Sequence, residues 1–352
     1  MDGLTPTIAW LDASQAGLVA RVAELAGLRI VAAGGPRRGA AKGRSPGGEP
    51  ALIEGATGFD DLRHATATID AKLLLAATSE PSEPGRTNHD HALDAEILKQ
   101  CRGRSLLVVS LEPAPGSVVE LASSRAGAGS DGARFVPLLA HARSWANTSD
   151  ALANFGAIRT VSIAARCAPG EGTLGGRLFD AMHLLHQLLG TPEQIDAAVV
   201  AGDAVQGLRP APAETVAGLR GDLTANLRFA GGRAASLSLS DRAGPWFRAG
   251  AVLGEGGSIR FTESGFEHLS VDGTLVDESP AKPKPGSRKK ATEPVTAAGA
   301  IAEQIRRGLD PHTPAPEPYN LAGVLAMCEA AVLSARTGQP ESPETILRMA
   351  GA

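Results

Sequence analysis

Thr7-Ile8-Ala9-Trp10-Leu11-Asp12, then Ala13 to Ala26, then Leu28-Arg29-Ile30-Val31-Ala32-Ala33 follow one another near the start of the chain. The first run is short and apolar and reads as a buried strand. The second carries Ala16, Leu18, Val19, Val22 and Leu25 at the spacings of one helical face. The third is apolar and β-branched, and Gly34-Gly35-Pro36 closes it. Strand, tight turn, helix, strand is the opening of a dinucleotide-binding βαβ unit. Such a turn reads G-x-G-x-x-G; here the three glycine places hold Asp12, Ser14 and Gly17. Only the third glycine, which serves close helix–strand packing, is kept. The scaffold is present and its phosphate cradle is altered.

Outward from this stretch, the chain has 352 residues, more than one ordinary core needs, and suits two domains. Only 3% of residues are aromatic, so the core must be built from Ala, Leu, Val and Ile. A net charge of −4 gives no electrostatic case for a nucleic-acid partner. Cys101, Cys167 and Cys328 match no zinc, CxxC or disulfide spacing, and read as buried hydrophobes of a reducing compartment. No signal peptide or membrane span is recognisable, so a cytoplasmic protein without a membrane partner is expected.

After the βαβ opening, Arg37 to Pro50 reads as a loop, Ala51-Leu52-Ile53 as a third strand and Gly58 to Ala65 as a short helix. Strands are expected over Lys72 to Ala77, Leu106 to Ser110 and Arg134 to Ala140, with helices over His89 to Cys101 and Ser117 to Ala126. This alternation predicts a doubly wound parallel sheet. A helix over Trp145 to Phe155 leads to a strand over Ile158 to Ala165 and a helix over Gly176 to Leu189, stopped by Gly190-Thr191-Pro192. Strand-like runs then crowd together: Asp222–Phe229, Ala234–Ser240, Ala249–Leu253, Ser258–Thr262 and Glu267–Val271. Turns at Ala230-Gly231-Gly232 and Asp272-Gly273 indicate antiparallel hairpins. Pro280 to Pro294 reads as a mobile loop (279–296 in all), and helices over Ala298–Gly308 and Leu321–Thr337 follow. The domain division expected is 1–143 and 144–352.

The layout resembles the Gfo/Idh/MocA family of NAD(P)-dependent oxidoreductases over nearly the whole chain. Ile69-Asp70-Ala71 with the apolar strand ending in Ala77-Thr78 is similar to one of its segments. Phe155-Gly156-Ala157-Ile158-Arg159-Thr160-Val161-Ser162-Ile163 is similar to its entry into the second domain. Leu227 to Gly232, Val252 to Ser258 and Leu333 to Gly338 look like its C-terminal sheet and last helix. The resemblance implies an N-terminal Rossmann domain, a C-terminal α+β domain with a large, mostly antiparallel open sheet, and homo-oligomers formed through that sheet. It also implies an NAD(P) cofactor and a sugar, polyol or related hydroxyl compound as small-molecule substrate.

The family's site positions are altered one after another. At the turn, Asp12 brings a carboxylate that repels phosphate while Ser14 can donate a hydrogen bond; alternatively both cap the helix. Around the ribose, Arg37 and Arg38 stand where an acid is expected, which favours NADP over NAD, or they belong to a solvated loop. Thr78 completes the cofactor set. Leu111-Glu112-Pro113 matches the family's Glu-Lys-Pro, so the lysine is missing and Glu112 is either a substitute base or structural. In Gly175-Gly176-Arg177-Leu178-Phe179-Asp180-Ala181-Met182-His183-Leu184-Leu185-His186, Asp180 and His183 share a helical face, as a proton relay or as a local pair. His89 and His91 start a helix near a family substrate histidine. His141, Arg143 and Trp145 lie beyond a strand C-terminus and are the pocket-lining candidates. No metal site is expected. Two readings stand: an oxidoreductase with substituted groups, or a catalytically inactive binding or assembly module that needs no cofactor.

Overall fold

The computed structural model describes residues 3–36, 52–78, 92–125, 133–200, 215–217, 219–279, 295–314 and 318–351. Arg37, Arg38, His89, His91 and the loops expected over 37–50 and 280–294 lie outside the described residues.

The first sheet is parallel throughout, in the order β3-β2-β1-β4-β5-β6. Its strands are β1 (Thr5–Trp10), β2 (Leu28–Gly34), β3 (Thr57–Phe59), β4 (Leu73–Ala76), β5 (Leu107–Ser110) and β6 (Arg134–Phe135). Side chains alternate across it. Leu11, Leu73 and Leu75 face a core shared with α1 (Ala16–Ala26), whereas Ile8, Trp10 and Leu74 face one shared with α2 (Leu62–Thr68) and α3 (Ala95–Gly103). A further helix, α4 (Val118–Arg125), follows β5. The core beside α1 is completed from far along the chain: Ile301 and Ile305 of α7 (Ala297–Leu309) pack into it.

Three expectations in this half are corrected. The third strand is Thr57–Phe59, not Ala51–Ile53: Phe59 stacks on Trp10 at 5.8 Å, and its carbonyl runs so close to Gly34 that a Cβ there would sit 2.4 Å away. The helix expected from Gly58 starts instead at Leu62, where Asp61 caps it. The strand expected over Arg134–Ala140 stops at Phe135, because Pro137 has no N–H for the ladder. The chain then makes a single 3₁₀ turn at Leu139–His141 before α5 (Arg143–Ala153).

The second sheet has eight strands in the order β14-β13-β12-β11-β7-β10-β9-β8. They are β7 (Ile158–Arg166), β8 (Gln194–Val200), β9 (Asp222–Phe229), β10 (Arg233–Ser240), β11 (Phe247–Gly254), β12 (Gly257–Thr262), β13 (Gly265–Leu269) and β14 (Leu275–Ser279). Only β7 and β10 pair in parallel. The sheet packs one face on α6 (Leu174–Leu189) and α8 (Leu321–Thr337). Edge strands β8 and β14 escape the sequence pattern because most of their residues are exposed. A short terminal helix, α9 (Pro343–Met349), opens on a proline at its first turn. No described helix is long and apolar enough to cross a membrane.

Candidate functional site

The turn after β1 closes on itself. Asp12 is the N-cap of the 3₁₀ turn Ala13–Gln15, and its Oδ1 accepts from the Ser14 N–H at 3.1 Å. Gln15 Oε1 accepts from the Asp12 N–H at 2.9 Å, which makes a reciprocal capping box. The Gln15 amide also donates to the Ala77 carbonyl at 2.8 Å, tying the turn to the end of β4 next to Thr78, itself buried. Gly17 does not serve close packing: a Cβ there would meet no atom within 4 Å.

The loop between β7 and α6 lies directly on this turn. Gly170, in the loop between β7 and α6, is so near that a Cβ on it would sit 2.6 Å from the Ser14 carbonyl oxygen. A Cβ on Gly176 would sit 2.8 Å from the Leu111 carbonyl oxygen, and one on Gly175 2.1 Å from that of Val216. Gly176 therefore lets the first turn of α6 rest on the end of β5, and Gly175 lets it rest on Val216.

Glu112 follows at that strand end, 1% exposed, with Oε1 3.8 Å from Arg220 Nη2. Asp180, nearly two turns into α6, is committed elsewhere. Its Oδ1 accepts from the Leu139 N–H at 2.7 Å and its Oδ2 from Arg248 Nη1 at 2.6 Å. Arg248 also donates to the Pro137 carbonyl at 2.9 Å and pairs with Glu263. Gln304 of α7 clasps Leu138 from both sides, accepting from its N–H at 3.0 Å and donating to its carbonyl at 2.6 Å. Three successive linker residues, Pro137 to Leu139, are thus held by side chains of α6, α7 and β11.

His183 is fully buried, and neither ring nitrogen has a hydrogen-bond partner. Its ring meets Tyr319 edge-on at 4.5 Å and His141 at 5.8 Å. Desolvation, reinforced by the nearby His141, pushes its pKa down to about 4 against the pull of Asp180. Asp180 and His183 share a helix but make no hydrogen-bonded pair; the carboxylate serves Arg248 and the linker.

The pocket-lining candidates are not brought together. His141 reaches His183, but Arg143 is exposed and pairs with Glu303 of α7 at 2.9 Å. Trp145 is corrected to a core residue, edge-on to Phe261 at 5.2 Å, because its helix face packs on β12.

Sequence reasoning missed the group beside Asp180. Trp246 carries Arg177 at 4.0 Å and Arg248 at 5.0 Å from its ring centroid, and its indole N–H donates to Glu263. Both guanidinium groups are buried. Burial lowers the pKa of each; for Arg248 the charges of Asp180 and Glu263 outweigh it, whereas for Arg177 desolvation prevails. The signal was available for Arg248, which stands in phase with Val252 and Gly254 on the buried face of β11.

No protein-family model matches the sequence, and no curated protein matches it. Solved structures do. An oxidoreductase from Sinorhizobium meliloti has a TM-score of 0.61 at 15% identity, over 97% of this chain and 99% of its own. GenD2 from gentamicin A biosynthesis, in complex with NAD, has a TM-score of 0.60 at 15% identity, over 97% of each chain. The myo-inositol 2-dehydrogenase of Lactobacillus plantarum has a TM-score of 0.60 at 14% identity, over 97% of this chain and 99% of its own. The fold is that of the Gfo/Idh/MocA-type NAD(P)-dependent oxidoreductases.

The nicotinamide dinucleotide that this fold implies does not fit the described residues of the turn. Its pyrophosphate needs free backbone N–H groups and no carboxylate at the turn. Here the Ser14 N–H is spent on Asp12, and the Gly170 backbone presses on Ser14.

Proposed function

We propose that this chain uses the Gfo/Idh/MocA fold as a ligand-binding or assembly module rather than for nicotinamide-dependent hydride transfer. The observation that carries this reading is the capped turn: Asp12 occupies the first glycine place and takes the N–H that a phosphate would use. Two further observations agree with it. Glu112 stands at the lysine place with its charge turned towards Arg220, and Asp180 is held by Arg248.

The second reading is an NAD(P)-dependent oxidoreductase acting on a sugar, polyol or related hydroxyl compound. The sheet order and the neighbours that bind a nicotinamide cofactor favour it; GenD2 holds NAD, and a biliverdin reductase from Synechocystis holds NADP+. It assigns proton transfer to Glu112, Asp180 and His183, and NADP to Asp12, Ser14, Gly17, Arg37, Arg38 and Thr78. Titration with NADH and NADPH, followed by cofactor fluorescence, separates the two. No saturation at millimolar cofactor is expected; micromolar binding overturns the module reading.

A second copy of this chain is the partner we infer for the uncovered face of the large sheet. That face carries small side chains in register, Thr224, Ser238, Ala164 and Ala249 across β9, β10, β7 and β11, together with the exposed arginines Arg228, Arg166 and Arg260. Sedimentation analysis is expected to show a dimer; a monomer at micromolar concentration sinks the inference.

A further inference from the structure

Arg177 is 2% exposed, and its Nε and Nη1 have no hydrogen-bond partner. It differs in this from Arg248 on the same tryptophan, whose nitrogens bind Asp180, Glu263 and the Pro137 carbonyl. The Trp246 ring offsets part of the cost of burying this cation, but the hydrogen bonds of Nε and Nη1 are unmade, and a fold that retains such a group has a use for it. Asp180 and Glu263 do not fill the gap, since Arg248 takes both.

The position of Arg177 indicates what it awaits. It lies in the first turn of α6, a 16-residue helix capped by Thr173, and its side chain folds back towards the helix start. There Nη2 would be 3.3 Å from a Cβ on Gly172, just before the cap. Gly172 is half-buried and Pro169 exposed, so this loop separates the guanidinium from solvent. The positive end of a long helix and an unpaired guanidinium converge beneath one short loop. Aromatic stacking fixes the guanidinium plane, and Nε and Nη1 at its edge remain without partners.

We propose that Arg177 and the N-terminus of α6 bind a small oxyanion, a carboxylate or phosphate group, beneath the loop Ala168–Gly172. The site is separate from the capped turn, and its occupancy is read without any dinucleotide. Failure of the cofactor reading and failure of this one are therefore distinguishable.

The test is calorimetric titration of the full chain with inorganic phosphate and, separately, with lactate, against a sodium chloride background of matched ionic strength. Saturable millimolar or tighter binding of one anion is expected, with a rise in melting temperature of several degrees. Phosphate alone would assign a phosphorylated ligand, lactate alone a carboxylate ligand. In Arg177→Met the binding is expected to weaken at least tenfold, while far-UV circular dichroism is retained. Equal binding by wild type and Arg177→Met overturns the proposal. So does the absence of saturation by either anion in the wild type, a result that stands even where the variant fails to fold. In that case the guanidinium is satisfied by buried water alone.

Discussion

The turn after β1 and the cluster around Trp246 are joined by one loop, Ala168–Gly172, and they treat polar groups in opposite ways. In the turn, Asp12, Ser14 and Gln15 satisfy one another within four residues of chain. Around Trp246, partners come from α6, β11 and the linker, and one cation is left over. A locally closed turn has no hydrogen bonds to offer a ligand. A non-locally assembled cluster fixes the domain junction and keeps one donor in reserve. The polar groups of the turn are thus spent on structure, while the buried cluster keeps two guanidinium nitrogens without partners.

The largest effect is expected from removing the cation that organises the cluster. Arg248→Met leaves Asp180 and Glu263 buried without their partner, a class of change that costs about 3–5 kcal/mol. The midpoint of urea unfolding should fall accordingly. If Arg248→Met were neutral, the cluster would not be what holds Pro137 to Leu139. Arg177→Met in anion-free buffer is the matched contrast: it removes an unpaired charge and should be neutral or stabilising.

Protonation gives the next effect. His183 has an unfolded pKa of 6.5 and a folded value of about 4. The native state therefore binds fewer protons than the unfolded chain between these values, and stability falls as pH drops from 6.5 towards 4. The full loss from this residue is on the order of 3 kcal/mol, reached near pH 4. His141 on the 3₁₀ turn, Asp180 and His186 on α6, and Tyr319 before α8 surround it. His183→Phe should flatten the stability–pH profile over this range while leaving the part due to His141 and His186. An unchanged slope would mean that the ring is protonated in the folded state.

The linker clasp is smaller. Gln304→Ala removes two hydrogen bonds from Leu138 and leaves a buried N–H and carbonyl unpaired, for a loss of about 1–3 kcal/mol. Denaturation at neutral pH measures it, and a loss equal to that of Arg248→Met would show that the linker, not the charge pair, is the critical element.

These contrasts explain what the sequence disclosed. The parallel sheet and the hairpins were legible because they are written in local period: Ile30–Ala33 runs apolar, and Leu223, Ala225 and Leu227 alternate with polar neighbours. The edge strand β14 was not, because it buries little. Nor was β8, where only Ile195 and Ala197 are buried and the small Ala197 and Ala198 blur the alternation. At the site, Asp12 was legible as a cap because its partners are two and three residues away. Asp180 was singled out for a pairing with His183 on its own helix face, whereas its partner Arg248 is 68 residues distant and was invisible to helical spacing. The packing of α7 against α1 joins segments that no periodicity links.

The smallest expected change in stability is the sharpest test of the turn. Asp12→Gly removes a capping carboxylate, and glycine at an N-cap costs only a few tenths of a kcal/mol. The same substitution restores the first glycine of the phosphate turn and frees the Ser14 N–H. If the carboxylate alone bars the dinucleotide, NADH should now bind. We expect no binding, because Gly170 still lies against the Ser14 carbonyl and Gly176 against that of Leu111. Binding by Asp12→Gly would place the whole barrier in one side chain, and would make the second domain's position on the turn a consequence of the capped turn rather than a cause of its closure.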